Sequence, residues 1–189
     1  MNTQQDSIHE DGKFHFFWSG VFSQWHPSEF VIESGNKVGN YDYGSITFNC
    51  AEQYMMFKKA ALFGDKHAAS LILQATDPKV QKKLGREVQN FDLAVWEQEC
   101  GKIVYDGNYA KFTQNPSLYC ELMNTGNAIL VEASPYDTVW GIGLDEVTAK
   151  VTPVNEWKGT NWLGEVLTQL KLDLEWEEEK RLQSVGIEI

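Results

Sequence analysis

The spacing of apolar residues along the chain changes period twice. Between residues 14 and 48 they fall in short extended runs: Phe14, Phe16, Phe17 and Trp18, then Glu29-Phe-Val-Ile-Glu33, then a loose alternation over residues 41–48. Runs of this kind, punctuated by a turn at Gly35-Asn36-Lys37, predict a small sheet or hairpin with too few strands for a barrel. After Phe48 the period becomes helical. Asn49, followed three residues later by Glu52, has the form of a capping box and predicts a helix over residues 49–63 that ends at Gly64. Asp65 is expected to cap a second helix through Leu73, and Asp77-Pro78 a short one to Leu84. Asp92 heads a longer helix with Leu93, Trp96, Cys100, Ile103 and Val104 on one face, broken and restarted at Asn115-Pro116. Residues 128–133 read as a short buried strand, followed by a loop rich in glycine and proline. The last helix begins near Asn161, with Leu163, Val166, Leu167, Leu170 and Leu174 on one stripe, and is expected to fade into the charged run 175–181. With no internal repeat and no long linker, the predicted fold class is mainly α, a single domain with a small β-hairpin or sheet element. A flexible polar leader is expected over residues 1–13, the domain over 14–175 and a charged tail over 176–189.

Composition narrows the class further. Of 189 residues 42% are hydrophobic, and 15 glycines bring the apolar share to an ordinary globular level. A chain of this length buries most of its apolar surface without staples, which excludes a disordered, collagen-like or disulfide-dependent protein. It has no apolar run long enough for a membrane-spanning helix, and no basic stretch leading into an apolar core near the start. Cys50, Cys100 and Cys120 are odd in number and lack CxxC spacing, so they are expected to be reduced thiols of a cytoplasmic protein. The net charge of −11 argues against broad binding to duplex nucleic acid, which requires bases to displace phosphate counterions. Residues 50–90 run the other way, with seven basic against four acidic residues. That sector either holds a phosphorylated small molecule or nucleotide, or consists of solvated helix faces.

Within the helix predicted over residues 49–63, Glu52 and Lys59 lie about 20° apart on the helical wheel and about 10.5 Å apart along the axis. Met56 and Phe63 share their stripe, so one face mixes a carboxylate and an amine with large apolar groups. The lysine stem leans toward the helix N-terminus, and the remaining gap would admit a sugar-sized group. The alternative is that Glu52 caps the helix and Lys59 extends along it to water. A second candidate is the loop from Glu132 to Leu144, where Asp137 could supply a polar hook and Trp140 a stacking face, or Trp140 could belong to the core. His9, His15, His26 and His67 show no metal-ligand spacing, and no GxSxG, P-loop or HExxH motif occurs. Most of the seven tryptophans, Trp96 and Trp162 included, fit apolar faces.

Six ordered blocks resemble one known family, the YbiA-like or NADAR proteins. They are Ala51-Glu-Gln-Tyr-Met-Met-Phe-Lys-Lys-Ala60, Leu62-Phe-Gly-Asp65, Leu84-Gly-Arg86 with Asn90-Phe91, Ala110-Lys-Phe112 with Gln114-Asn-Pro116, the segment from Glu132 to Leu144, and Trp157-Lys-Gly-Thr-Asn161 with Leu163-Gly164. The resemblance spans roughly residues 14–172. It implies a mainly α, YbiA-like fold and cleavage of N-glycosidic bonds to ribose. In some members the substrates are ribosylated pyrimidine intermediates of riboflavin synthesis, and other members remove ADP-ribose from modified guanine bases. Carried over by position, the resemblance makes Glu52 and Lys59 the catalytic pair. Trp96, Asp137, Trp140 and Arg86 become substrate-binding residues. Where the family often carries Ser-Asn-Phe, this chain reads Ser28-Glu29-Phe30, so Glu29 bears on substrate identity.

The expectation is therefore a hydrolase that cleaves the bond between ribose and a nucleobase or base-like amine. Cleavage leaves positive charge on the anomeric carbon and negative charge on the departing base. A carboxyl group at Glu52 can manage the proton, and a desolvated Lys59 supplies some neutral amine. The resemblance suggests a Schiff base between Lys59 and the opened sugar. No metal and no organic cofactor is implied. The expected partner is a ribosylated or ADP-ribosylated small molecule or nucleobase, with nucleic acid as a modified-base substrate only and no membrane. The alternative class is a module that binds ADP-ribose or a nucleotide without cleaving it.

Overall fold

Three aspartates set the rhythm of the helices. The computed structural model describes residues 12–186, so most of the expected leader lies outside the described residues, as do tail residues 187–189. The first half of the chain runs β1 (Phe14–Phe17), β2 (Phe30–Ile32), β3 (Lys37–Val38), β4 (Tyr41–Asp42), β5 (Ile46–Phe48), α1 (Ala51–Leu62), α2 (Lys66–Gln74) and α3 (Pro78–Arg86). Then follow α4 (Leu93–Gln114), α5 (Pro116–Met123), β6 (Ile129–Glu132), α6 (Glu146–Ala149) and α7 (Trp162–Ser184). The fold is mainly α with small sheet elements, as expected. Asp65 Oδ1 accepts from Ala68 N at 2.9 Å, Asp77 from Lys79 N at 2.8 Å and Asp92 from Val95 N at 3.0 Å, each satisfying an orphan donor of the first turn.

The chain divides into two compact units, Ser23–Cys120 and the combination of Met1–Phe22 with Glu121–Ile189. In the first, α1 packs against α2, α3 and α4. Two glycines permit this. A Cβ at Gly85 would collide with Met56, and one at Gly107 would lie 2.5 Å from the Tyr54 ring. Phe30 stands opposite Phe48 in the antiparallel β2–β5 pair, and both rings pack on Tyr54 of α1. The tight turn of the β3–β4 hairpin falls at Gly39-Asn40, a few residues after the predicted Gly35-Asn36-Lys37. Asn36 is fully buried instead, its Nδ2 donating to the carbonyls of Ile32 and Gly44 at 2.8 and 2.7 Å.

The expected capping box at Asn49 and Glu52 is not formed. Cys50 occupies the N-cap position without a side-chain cap bond. The Asn49 side chain is engaged elsewhere, with Oδ1 accepting from Gln81 Nε2 at 3.0 Å. The reach back to the Asn49 amide comes from Gln53 Oε1 at 2.9 Å, one residue later than predicted. Tertiary partners for these polar groups outweigh the local cap.

In the second unit β1 and β6 pair in parallel, with Phe14 opposite Ile129 and Phe17 opposite Glu132. Helix α7 packs on β6. Asn161, in the left-handed region at φ 56°, accepts from Glu132 N at 2.9 Å and donates to the Leu130 carbonyl at 3.0 Å. Val131, Ala133, Ile142, Leu144 and Ala149 form the core here, with Phe14, Phe16 and Trp157 packed against it. Lys171 of α7 is buried and donates to Thr125 Oγ1 and the carbonyls of Gly126 and Ala128, satisfying all three of its donors. The last helix does not fade at the charged run: α7 continues to Ser184, with Arg181 forked onto Glu178 one turn earlier. All three cysteines are free. No helix among the described residues is long and apolar enough to cross a membrane.

Candidate active site on the face of α1

The stripe read from the wheel is present on α1. Glu52 is 5% exposed in the first turn, and Lys59 is half-buried in the last. Lys59 Nζ lies 4.2 Å from the centroid of the Phe91 ring and 5.3 Å from that of Trp96, within range of a cation–π attraction to each. Trp96 is buried on α4, whereas Phe91 remains 43% exposed and is supported by Phe63, with ring centroids 5.2 Å apart.

Local chemistry explains how Phe91 reaches the amine. Asn90 adopts a left-handed conformation at φ 58°, a turn that asparagine tolerates, and Asp92 then starts α4. Asp65 ties this turn to α2, because its Oδ2 accepts from Gln89 N at 2.9 Å while Oδ1 caps the helix. Arg86 closes α3, whose approach to α1 depends on Gly85. Burial, first, and the Arg86 charge, second, hold the Lys59 ammonium below its ordinary range, while Glu52 opposes them. The site thus favours a neutral amine more than an exposed lysine would.

A buried polar lattice fixes the start of α1. The Glu52 amide donates to the Gln24 carbonyl at 2.9 Å. Gln24 Oε1 accepts from fully buried Asn108 at 2.8 Å, and Lys111 Nζ donates to the Ser23 carbonyl at 3.0 Å. Gln24, Asn108 and Lys111, like Phe91, were missed from sequence. The signals available were the Asn90-Phe91 block and a lysine at position 111 on an otherwise apolar helix face.

Lys111 is completely buried, and burial pushes its pKa down to about 7 with a smaller opposing effect from Cys50. The unfolded chain keeps this proton up to about 10.5 whereas the folded chain releases it near 7, so folding stability should rise with pH through that window. Denaturant titrations between pH 7 and 9 should show the rise, and Lys111→Met should flatten it. An unchanged slope in the variant would remove Lys111 as its source. The range stops at 9 because Cys50, pushed up to about 11, contributes the opposite slope above it.

Glu52, Lys59, Arg86 and Trp96 therefore belong to one unit. Asp137 and Trp140 belong to the other. Asp137 Oδ1 accepts from the amides of Val139 and Trp140 at 2.9 and 2.8 Å, which makes it the organiser of a tight turn. The half-buried Trp140 meets Trp162 edge to face at 5.6 Å. Gly141 and Gly159 complete this arrangement, since a Cβ at either would overlap neighbouring backbone. Glu29 is exposed, and its carbonyl accepts from Asn115 Nδ2 at 2.9 Å. Among the described residues, no three His, Cys, Asp or Glu side chains gather as ligands for a metal ion.

Residues 16–175 match the family model described as the NADAR domain, and the chain belongs to that family. It is 44% identical over 152 residues to N-glycosidase R617 of Acanthamoeba polyphaga mimivirus, covering 80% of this chain and 85% of the relative. It is 39% identical over 159 residues to Protein irg-1 of Caenorhabditis elegans, covering 82% and 75% respectively. A 28% identity over 162 residues links it to the chloroplastic riboflavin biosynthesis protein PYRR of Zea mays, covering 82% of this chain but 23% of that longer protein. The NMR structure of Escherichia coli YbiA matches with a TM-score of 0.67 at 24% identity, covering 93% of this chain and 92% of that one, which establishes the YbiA-like fold.

Proposed function

We propose that this protein is a hydrolase of N-glycosyl compounds that cleaves the bond between ribose and a nucleobase or base-like amine. Lys59 is its nucleophile and Glu52 its proton-transfer group. The observation that carries the reading is the Lys59 amine, half-buried on the faces of Phe91 and Trp96 with Arg86 nearby, on the same helix face as buried Glu52. Family membership and the kinship with a named N-glycosidase support the reaction class.

The neutral Lys59 amine attacks the anomeric carbon. The C–N bond to the base breaks, its electron pair leaves with the base, and Glu52 delivers a proton to that base. The attached nitrogen passes a proton to the ring oxygen as the C–O bond of the ring breaks, which leaves the opened sugar as a protonated Schiff base on Lys59. Water, deprotonated by Glu52, adds to the imine carbon, and collapse releases the sugar and restores the amine. Trp96 and Phe91 shield the amine from solvent, while Arg86 suits a phosphate on the substrate. In the other unit, Asp137 and its ordered turn hold Trp140 as a candidate binding element by itself. The substrate is either an ADP-ribosylated guanine-type base or a ribosylated pyrimidine phosphate of riboflavin synthesis, in a cytoplasmic setting.

The test is incubation with ADP-ribosylated guanosine and, separately, ribosylaminopyrimidine phosphate, followed by chromatography of the released base. Release from one of them is expected. Binding of both without release would favour a non-catalytic reader. Glu52→Gln keeps shape and hydrogen bonding but loses the transferable proton, so it should bind substrate while turnover falls by about 10²–10⁴. Native turnover in that variant would remove Glu52 from the mechanism.

A further inference from the structure

We propose that Trp18 and Tyr136 form a stacking seat for the nucleobase of a nucleotide. The proposal rests on the hydrolase reading for its ligand class. Strands β1 and β6 are parallel and in register from Phe14–Ile129 to Phe17–Glu132, so their carboxyl ends finish side by side. The carboxyl edge of parallel strands is a recurrent place for ligands. Trp18 directly follows β1, and the Ala133 amide donates to the Phe17 carbonyl at 2.7 Å, which holds the chain in place up to that residue. Tyr136 stands in the segment after β6, next to the turn that Asp137 ties down through the amides of Val139 and Trp140. Both aromatics are thus borne by anchored backbone.

Their exposure is the unexplained feature. Trp18 is 57% exposed and Tyr136 85%, yet their ring centroids lie 6.0 Å apart with the planes inclined at 47°. Two large rings gathered at one edge but not laid flat on each other leave open π faces. A planar heterocycle is the chemistry that fits such faces, and aromatic stacking on bases tolerates sequence and ring type. Ser19 and Gly20 follow Trp18 in the chain, and Asp137 and Thr138 follow Tyr136.

Adenosine monophosphate and ribose 5-phosphate, titrated calorimetrically, separate the base from the sugar phosphate. Trp18→Ala and Tyr136→Ala should each weaken adenosine monophosphate binding by about tenfold, while Trp18→Phe and Tyr136→Phe keep most of it. Ribose 5-phosphate should bind all five proteins alike. Unchanged adenosine monophosphate affinity in the Trp18→Ala/Tyr136→Ala double variant would overturn the proposal, as would no binding to the native protein. Equal weakening of both probes would overturn it too. Base release by the native protein is assayed on the same preparation. Its absence, with base-dependent binding intact, defeats the hydrolase reading and leaves the seat standing.

Discussion

Lys59→Ala is expected to abolish base release, lowering turnover by about 10³-fold or more, the scale on which loss of a covalent nucleophile registers. Lys59→Arg should be equally inactive. It keeps the positive charge over Phe91 and Trp96, but a guanidinium stays protonated and cannot attack. If the arginine variant turned over like the native protein, the lysine would be acting through charge alone. On the proposed mechanism the same amine is expected to set the pH response. Its protonated form is inert and burial and Arg86 hold its pKa below 10.5, so the rate should climb with pH along a limb displaced below that value. Arg86→Gln removes one of the two depressing influences and should move the limb upward. Steady-state rates across pH measure this, and circular dichroism confirms that each variant is folded.

Gly164→Ala should be strongly destabilising. A Cβ there would fall inside contact distance of the Leu130 carbonyl oxygen and of both polar atoms at the end of the Asn161 side chain. Those atoms already bond one another across the junction of β6 and α7, and the Leu130 oxygen is backbone that cannot rotate away. Either α7 lifts off β6 or the Asn161 bonds to Leu130 and Glu132 break. Overpacking of this kind costs about 1–3 kcal/mol, and loss of the bonds adds about 1 kcal/mol or more. Gly101→Ala is the contrasting change. It lies within α4 with nothing near its would-be Cβ, and should stabilise by about 0.5–1 kcal/mol. Thermal denaturation of the pair measures the difference, and equal melting temperatures would refute the packing argument.

What the sequence revealed follows the range of the interactions involved. The caps at Asp65, Asp77 and Asp92 are side-chain bonds to amides two or three residues away, so they could be read directly. The alignment of Glu52 with Lys59 is helical geometry and was equally local. Asn49 misled because its partner, Gln81, is 32 residues distant and draws it away from the cap. The parallel pairing of β1 with β6 joins segments more than a hundred residues apart, and no period in either strand announces it. The aromatic box around Lys59 was half legible. Trp96 stood out as a residue on an apolar face, while Phe91 needed the left-handed Asn90 to turn it inward. Asn161 was recognised as a helix start. Its side-chain bonds to β6 were not foreseeable, because they depend on where the strand lies. The extension of α7 to Ser184 owes nothing to an apolar stripe and is supported by the Arg181–Glu178 pair on an exposed part of the helix.

Covalent catalysis by Lys59 is the central claim, and reductive trapping tests it most directly. The native protein is mixed with whichever substrate releases its base, treated with borohydride and digested for mass spectrometry. A reduced sugar adduct on the peptide carrying Lys59, absent from Lys59→Ala, is the predicted result. Base release with no adduct at Lys59, or an adduct that persists in Lys59→Ala, would contradict it.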